Sequence, residues 1–231
     1  MIEAARTENE SRSVSLKDLM VGQVLKPTGV SMMLMLLQQV GGINAVIFYA
    51  VDIFKDANTG LDENVSAIVI AAVQVVFVLV STLLVERLGR KILLVVSELG
   101  MAVSLLALGI YFYIKEHEPE KAATLGWLPL TSLVLYIITY NLAMGPLPWT
   151  MMGELLPPHV KSITSSIATA FCWGLGFLIA KFFKDMLAVL TSYGCYWLFS
   201  ACSFAGFIYC LLVVPETKGK SLEEIQRHFS K

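Results

Sequence analysis

Six apolar runs divide the chain, near 27–51, 65–85, 92–114, 128–152, 163–186 and 194–214. Each is long enough to cross about 30 Å of hydrocarbon as a helix. Backbone amides and carbonyls find no water at that depth, so an isolated span must satisfy them internally, as a helix does. The expected fold class is therefore all-α membrane, a six-transmembrane-helix bundle with short polar connections. Composition agrees: 56% of residues are hydrophobic and 15% charged, where a soluble domain carries about a quarter charged residues. The net charge of −1 gives no reason to expect a nucleic-acid partner. The first twenty residues are polar, with Glu3, Arg6, Glu8, Glu10, Arg12, Lys17 and Asp18, and lack the apolar core of a cleaved signal peptide.

Six crossings place both termini on one side, and the basic residues choose which. With the termini inside, the inner segments hold twelve Lys and Arg, among them Arg87, Arg90, Lys91 and Lys161. Five others, Lys55, Lys115, Lys121, Lys181 and Lys184, fall in or near outer segments. That bias predicts cytoplasmic termini.

Within the first run, Gln38, Gln39 and Asn44 interrupt a stretch otherwise able to lie in lipid. Amides there are costly unless they face partners or a wet cavity. At about 100° per residue, Gln39 lies roughly 100° and Asn44 roughly 240° round from Gln38, so no straight helix turns all three from lipid. Gly41 and Gly42 stand between them, where the chain bends without a Cβ penalty. An interrupted, amide-lined span is how transporters build a midplane site for a polar solute. The plainer alternative is that the amides only tie helices together.

The fourth run has its own interruption, Gly145-Pro146-Leu147-Pro148-Trp149. Two prolines bar a regular helix, and the carbonyls they free must be met by protein or water. Trp149 offers a flat apolar face with one donor, suited either to a sugar ring or to the bilayer interface. Gln74 in the second run reads as interhelical glue or a ligand contact. The Ser, Thr, Ala and Gly of the fifth run read as close-packing residues. Glu98, inside the third run, predicts a neighbouring Arg, a snorkelling position or a proton-linked group. Cys172, Cys195, Cys202 and Cys210 read as small apolar residues, without disulfide or metal-ligand spacing.

Four segments in order resemble the C-terminal half of a major facilitator superfamily sugar porter. They are Gln38-Gln39-Val-Gly-Gly-Ile-Asn44-Ala-Val-Ile-Phe48-Tyr49, Glu86-Arg87-Leu-Gly89-Arg90-Lys91, Gly145-Pro146-Leu-Pro148-Trp149 with Gly153-Glu154-Leu155, and Pro215-Glu216-Thr217-Lys218-Gly219. They resemble the seventh helix, the turn after the eighth, the tenth helix and the tail after the twelfth. Ser15-Leu-Lys-Asp-Leu19 and Trp149-Thr-Met-Met-Gly-Glu-Leu-Leu-Pro157 look most like insect facilitated trehalose transporters and class III facilitative glucose transporters.

The resemblance implies facilitated diffusion of trehalose or a hexose by alternating access, with no covalent chemistry, cofactor or metal. It implies substrate contacts from Gln38, Gln39, Asn44, Gln74, Asn141 and Trp149, and gating by Phe48, Tyr49, Gly145, Pro146 and Pro148. Gly176 stands where the resemblance places a sugar-contacting asparagine, which implies either room for a larger substrate or a weaker contact. A cytoplasmic latch is implied at Glu86, Arg87, Arg90, Lys91, Glu154, Lys161 and Glu216, with Lys161 lacking the planar fork of the usual Arg. The division implied is 1–26 as a linker between transporter halves, 27–214 as the bundle and 215–231 as a cytoplasmic tail. The partners implied are the sugar, the lipid bilayer and an N-terminal six-helix half absent from this chain, with the plasma membrane as location. A sugar sensor that binds without transporting is the alternative. An enzyme is not expected: His117, His159 and His228 are scattered and no nucleophile has a catalytic setting.

Overall fold

In the computed structural model, residues 22–56 and 63–229 are described. Of the implied linker 1–26, residues 1–21, with the Ser15–Leu19 motif, lie outside them, while 22–26 are already helical. Every regular element among the described residues is helical: α1 (Gly22–Val40), α2 (Ile43–Asp56), α3 (Glu63–Leu88), α4 (Arg90–His117), α5 (Pro119–Thr124), α6 (Leu128–Thr139), a π-helical turn (Tyr140–Met144), α7 (Leu147–Leu155), α8 (Pro158–Leu212) and α9 (Leu222–Phe229). Five helical stretches among the described residues are long and apolar enough to cross a membrane. The last of these, α8, supplies the fifth and sixth expected spans.

Its 55 residues contain one non-helical position, Thr191, at φ 65° and ψ 170°. The chain reverses there. Phe183 and Phe199, eight residues either side of Thr191, stack with centroids 6.2 Å apart, which one straight helix forbids. Two antiparallel arms result, Pro158–Leu190 and Ser192–Leu212.

The first expected span is broken where the glycine pair predicts. Gly41 and Gly42 form a turn between α1 and α2, with Gly42 at φ 86°. A Cβ on Gly42 would lie 2.7 Å from the Phe199 ring, so backbone angle and packing both require glycine. The Tyr136 hydroxyl donates to the Gly41 carbonyl at 2.8 Å, meeting a group the broken ladder leaves free.

The fourth span breaks differently from a simple proline kink. The amide of Gly145 bonds the carbonyl of Tyr140 at 2.8 Å, the five-residue spacing of a π-turn. Pro146 follows, and α7 restarts with Pro148 in its first turn, where no amide donor is needed.

α4 packs one face against α6 and the second arm of α8 and leaves the other, with Val96, Val103 and Leu106, exposed. Ser97 Oγ donates to Thr139 O at 2.6 Å, and Ser200 Oγ donates to Ala102 O at 2.7 Å. Such close serine contacts replace the hydrophobic drive that lipid does not supply. Leu94, Met101, Leu105, Leu133, Ile137 and Met144 fill the core. α3 turns Val75, Val76, Leu79 and Leu83 outward instead, as a lipid-facing helix does.

Candidate functional site

The two helix breaks meet. Gln38, in the last turn of α1, is 2% exposed and donates its carboxamide Nε2 to Met144 O at 2.7 Å and Gly145 O at 2.9 Å. These are carbonyls at the π-turn, ahead of Pro146. Cys172, on the first arm of α8, donates its thiol to Gln38 Oε1 at 3.4 Å. Gln39 Nε2 in turn donates to Cys172 Sγ at 3.0 Å, and Asn44 Nδ2 donates to Gln39 Oε1. The three amides that no straight helix could gather are gathered by the glycine turn, on one continuous set of hydrogen bonds.

Cys172 was expected to be a small apolar filler, and it is not. It is a buried polar junction between α1 and α8, and the sequence alone gave no sign of which cysteine faced the amides. Trp149 is partly buried and packs against a small apolar cluster that contains Met35, Met152, Ala168 and Cys172 itself.

Gly176, one turn along from Cys172, does not leave a void. A Cβ there would come within 2.5 Å of Asn44 Nδ2 and 3.0 Å of Gln39 Oε1. The missing side chain is what lets α8 press against the amide pair, which speaks against the first of the two alternatives at that position, room for a larger substrate, and leaves the second, a weaker contact. Gly174 is different again: nothing lies within 4 Å of its Cβ position, so close helix packing does not explain it.

Other expected contacts lie apart from this set. Asn141 is buried but turns its amide onto Ile137 O of its own helix at 2.8 Å. Gln74 is half-buried on α3. Among the gating residues, Tyr49 donates to Ala180 O at 3.2 Å and packs on Phe183, with centroids 4.9 Å apart, bracing α2 against α8. Phe48 is 69% exposed beside it. Trp173 and Phe177, which sequence reasoning did not single out, are exposed on the first arm next to Cys172 and Gly176.

Glu98 meets neither expectation of an Arg neighbour or a snorkelling position. It is fully buried, pressed on Gly206 of the second arm, and its oxygens have no hydrogen-bond partner among the described residues.

Several charges of the expected latch gather at one end of the bundle. Arg90 pairs with Glu154 at 2.9 Å, and Thr217 Oγ1 donates to the second Glu154 oxygen at 2.6 Å. Glu216 accepts from the backbone amides of Arg90 at 3.0 Å and Lys91 at 3.1 Å, so it caps the α4 N-terminus. Gly89 makes that approach possible, since a Cβ there would meet the Glu216 carboxylate at 2.5 Å and its φ is 90°. Burial raises the Glu216 carboxyl, but backbone amides of Lys218, Arg90, Lys91 and Thr217 outweigh it and hold the group below the ordinary range. Lys161 donates to Gly153 O at 2.7 Å, and Lys218 to Arg87 O at 2.7 Å, while Glu86 and Arg87 are exposed.

Residues 1–229 match the family described as "Sugar (and other) transporter". The chain is 43% identical over 223 residues to "Facilitated trehalose transporter Tret1" of Drosophila erecta, covering 96% of this chain and 26% of that protein. It is 41% identical over 220 residues to the Tret1 of Culex quinquefasciatus, covering 95% of this chain and 42% of that protein. The chain thus spans less than half the length of these relatives. Its fold is similar to that of a double-tryptophan mutant of XylE, with a TM-score of 0.78 and 26% identity, covering 99% of this chain and 47% of that one. It is also similar to the proton:xylose symporter XylE bound to 6-bromo-6-deoxy-D-glucose, with a TM-score of 0.75 and 26% identity, covering 87% and 42%. Apolar spanning helices, paired helix breaks and this match agree: the chain is a multi-pass membrane protein and belongs to the sugar (and other) transporter family.

Proposed function

We propose that the chain forms the second six-helix half of a facilitated-diffusion carrier for trehalose or a hexose. The observation that carries this reading is the gathering of Gln38, Gln39 and Asn44 at the meeting of two helix breaks, with Trp149 packed against the cluster that contains Cys172. An amide offers both donors and an acceptor, which is what a sugar hydroxyl needs. Asn44 is half-buried, so part of it is open to a ligand, and Trp149 supplies a flat apolar face for a ring. The names of the trehalose-transporting relatives support the substrate class.

On this reading residues 27–214 are the bundle, 215–231 the cytoplasmic tail, and 1–26 the linker that joins a first half. The first half closes the site from the opposite wall, and rocking of the halves alternates access. Gln74 and Asn141 serve as outlying contacts. Phe48 and Tyr49 gate one mouth, while Gly145, Pro146 and Pro148 let the α6–α7 helix flex. Glu86, Arg87, Arg90, Lys91, Glu154, Lys161 and Glu216 form the cytoplasmic latch. The location is the plasma membrane, with both termini cytoplasmic.

Uptake of labelled trehalose and glucose tests this. The chain is reconstituted alone and with the part of the Culex relative that lies outside the match. Saturable uptake of either sugar by the pair, and none by the chain alone, is the expected result. No uptake by the pair, with both halves inserted, overturns the reading.

A further inference from the structure

The hydrogen bonds at the amide cluster run in one direction, and the direction is imposed from one end. Met144 and Gly145 present only carbonyl oxygens to Gln38, so its NH2 must face them and its Oε1 must face Cys172. An oxygen at that position needs a donor, so the Cys172 thiol proton goes to Gln38. The sulfur then has only its lone pairs to offer Gln39, which fixes Gln39 with Nε2 toward the sulfur and Oε1 toward Asn44. Asn44 must meet that oxygen with its NH2. Its Oδ1 and second N–H are not used in the relay.

We propose that Cys172 is a positioning residue that sets which way the Gln39 and Asn44 amides face, so that the site presents Asn44 Oδ1 to a sugar hydroxyl as an acceptor. The proposal rests on the sugar-site reading above and deepens it. Carboxamides are nearly symmetrical in shape, and an amide pair free to turn would offer either an oxygen or an NH2 at the same place. Reversing Gln39 and Asn44 here would turn a carboxamide oxygen onto the sulfur. The single thiol proton would then have to leave Gln38 Oε1, and one buried acceptor would lose its donor. The break in the fourth span therefore reaches the ligand through Gln38 and the thiol. Gly176 leaves the relay the space it occupies, because any Cβ there would displace Asn44 and Gln39.

Two measurements test the assignment, one needing no ligand. In the Raman spectrum of the purified chain in lipid nanodiscs, the S–H stretch lost in Cys172→Ser is expected at the lowered frequency of a donating thiol. A band at the free-thiol position overturns the relay. The second measurement compares binding of glucose, its monodeoxy series and its monofluoro series by the chain co-reconstituted with the part of the Culex relative outside the match. Deoxy removes the hydroxyl, while fluorine can accept but cannot donate. At the position facing Asn44 Oδ1, both analogues should lose affinity, on the order of fivefold to tenfold. Cys172→Ser keeps a donor and an acceptor and should keep that pattern. Cys172→Ala should restore the fluoro analogue relative to the deoxy analogue by about threefold or more, because the amides are then free to turn. A purely structural role would lower all sugars alike. Uniform loss in Cys172→Ala, or an unchanged pattern, overturns the positioning role while leaving the sugar site standing. Absence of binding to any sugar by the wild-type pair overturns the sugar site itself.

Discussion

Replacing Gln38 by Met separates two jobs that the sequence could only assign together. Gln38 donates two hydrogen bonds to the carbonyls of Met144 and Gly145 and accepts one from Cys172. Met is close in volume and equally unbranched, so the change removes polar bonds while nearly preserving packing. In membrane proteins a side-chain hydrogen bond contributes about 0.6 kcal/mol on average and up to about 1.7. Two lost donors give about 1–3 kcal/mol, with the upper part favoured because Met144 O is buried at the break and the π-turn has already spent the local donors. The expected outcome is a chain destabilised by that amount, together with weaker sugar binding. Asn44→Ala behaves differently: its one relay bond is part-buried, so stability falls by no more than about 1 kcal/mol while binding falls about tenfold. Steric-trap unfolding in bicelles measures the first quantity, and labelled-sugar binding the second. A Gln38→Met chain within about 0.5 kcal/mol of wild type would refute the claim that Gln38 clasps the break.

Glu216 is held below its unfolded value, so its stabilisation of the cap is full above about pH 4.5 and is lost as pH falls through the folded value. Stability followed from about pH 6 to pH 3 should drop in wild type and drop less in Glu216→Gln. Gly176→Ala should weaken sugar binding severalfold with inserted protein near normal, since its Cβ strikes Asn44 and Gln39 rather than the core; unchanged binding would show that the amide pair yields easily. Thr191→Gly relieves a backbone conformation that is nearly glycine-only, and should raise stability by about 1 kcal/mol in unfolding measurements, net of the glycine entropy cost.

Much of this architecture is readable in the residues because the bilayer leaves few choices. Apolar length gave the spans, and Gly41-Gly42 gave the break, since only glycine takes φ 86° beneath the Phe199 ring. Pro146 and Pro148 announced the second break, although not its π form, which depends on how Tyr140 and Gly145 pair. The reversal at Thr191 was legible only as the gap between two apolar runs, because its turn, Leu190-Thr191-Ser192, has neither Gly nor Pro. Gln38, Gln39 and Asn44 stood out because polarity in an apolar run is costly. Cys172 did not, because its role depends on the rotation of α8 against α1, and a cysteine in lipid-like surroundings carries no warning. Glu216 stood out only through its resemblance to a tail motif, and its place as the cap of α4 was not readable, because that is set by the close approach over Gly89.

The central claim is that the amides between the two breaks touch sugar. Solid-state NMR dipolar coupling between side-chain 15N of labelled asparagine and 13C-labelled glucose or trehalose tests it most directly, in the chain paired with the part of the Culex relative outside the match. Asn44 and Asn141 are the asparagines inside the spans. The account predicts dephasing from bound sugar that falls steeply in Asn44→Ser, leaving at most the weak part from the outlying Asn141, and that largely survives in Asn141→Ser. Dephasing absent in the wild type under saturating sugar, or unchanged in Asn44→Ser, would contradict it.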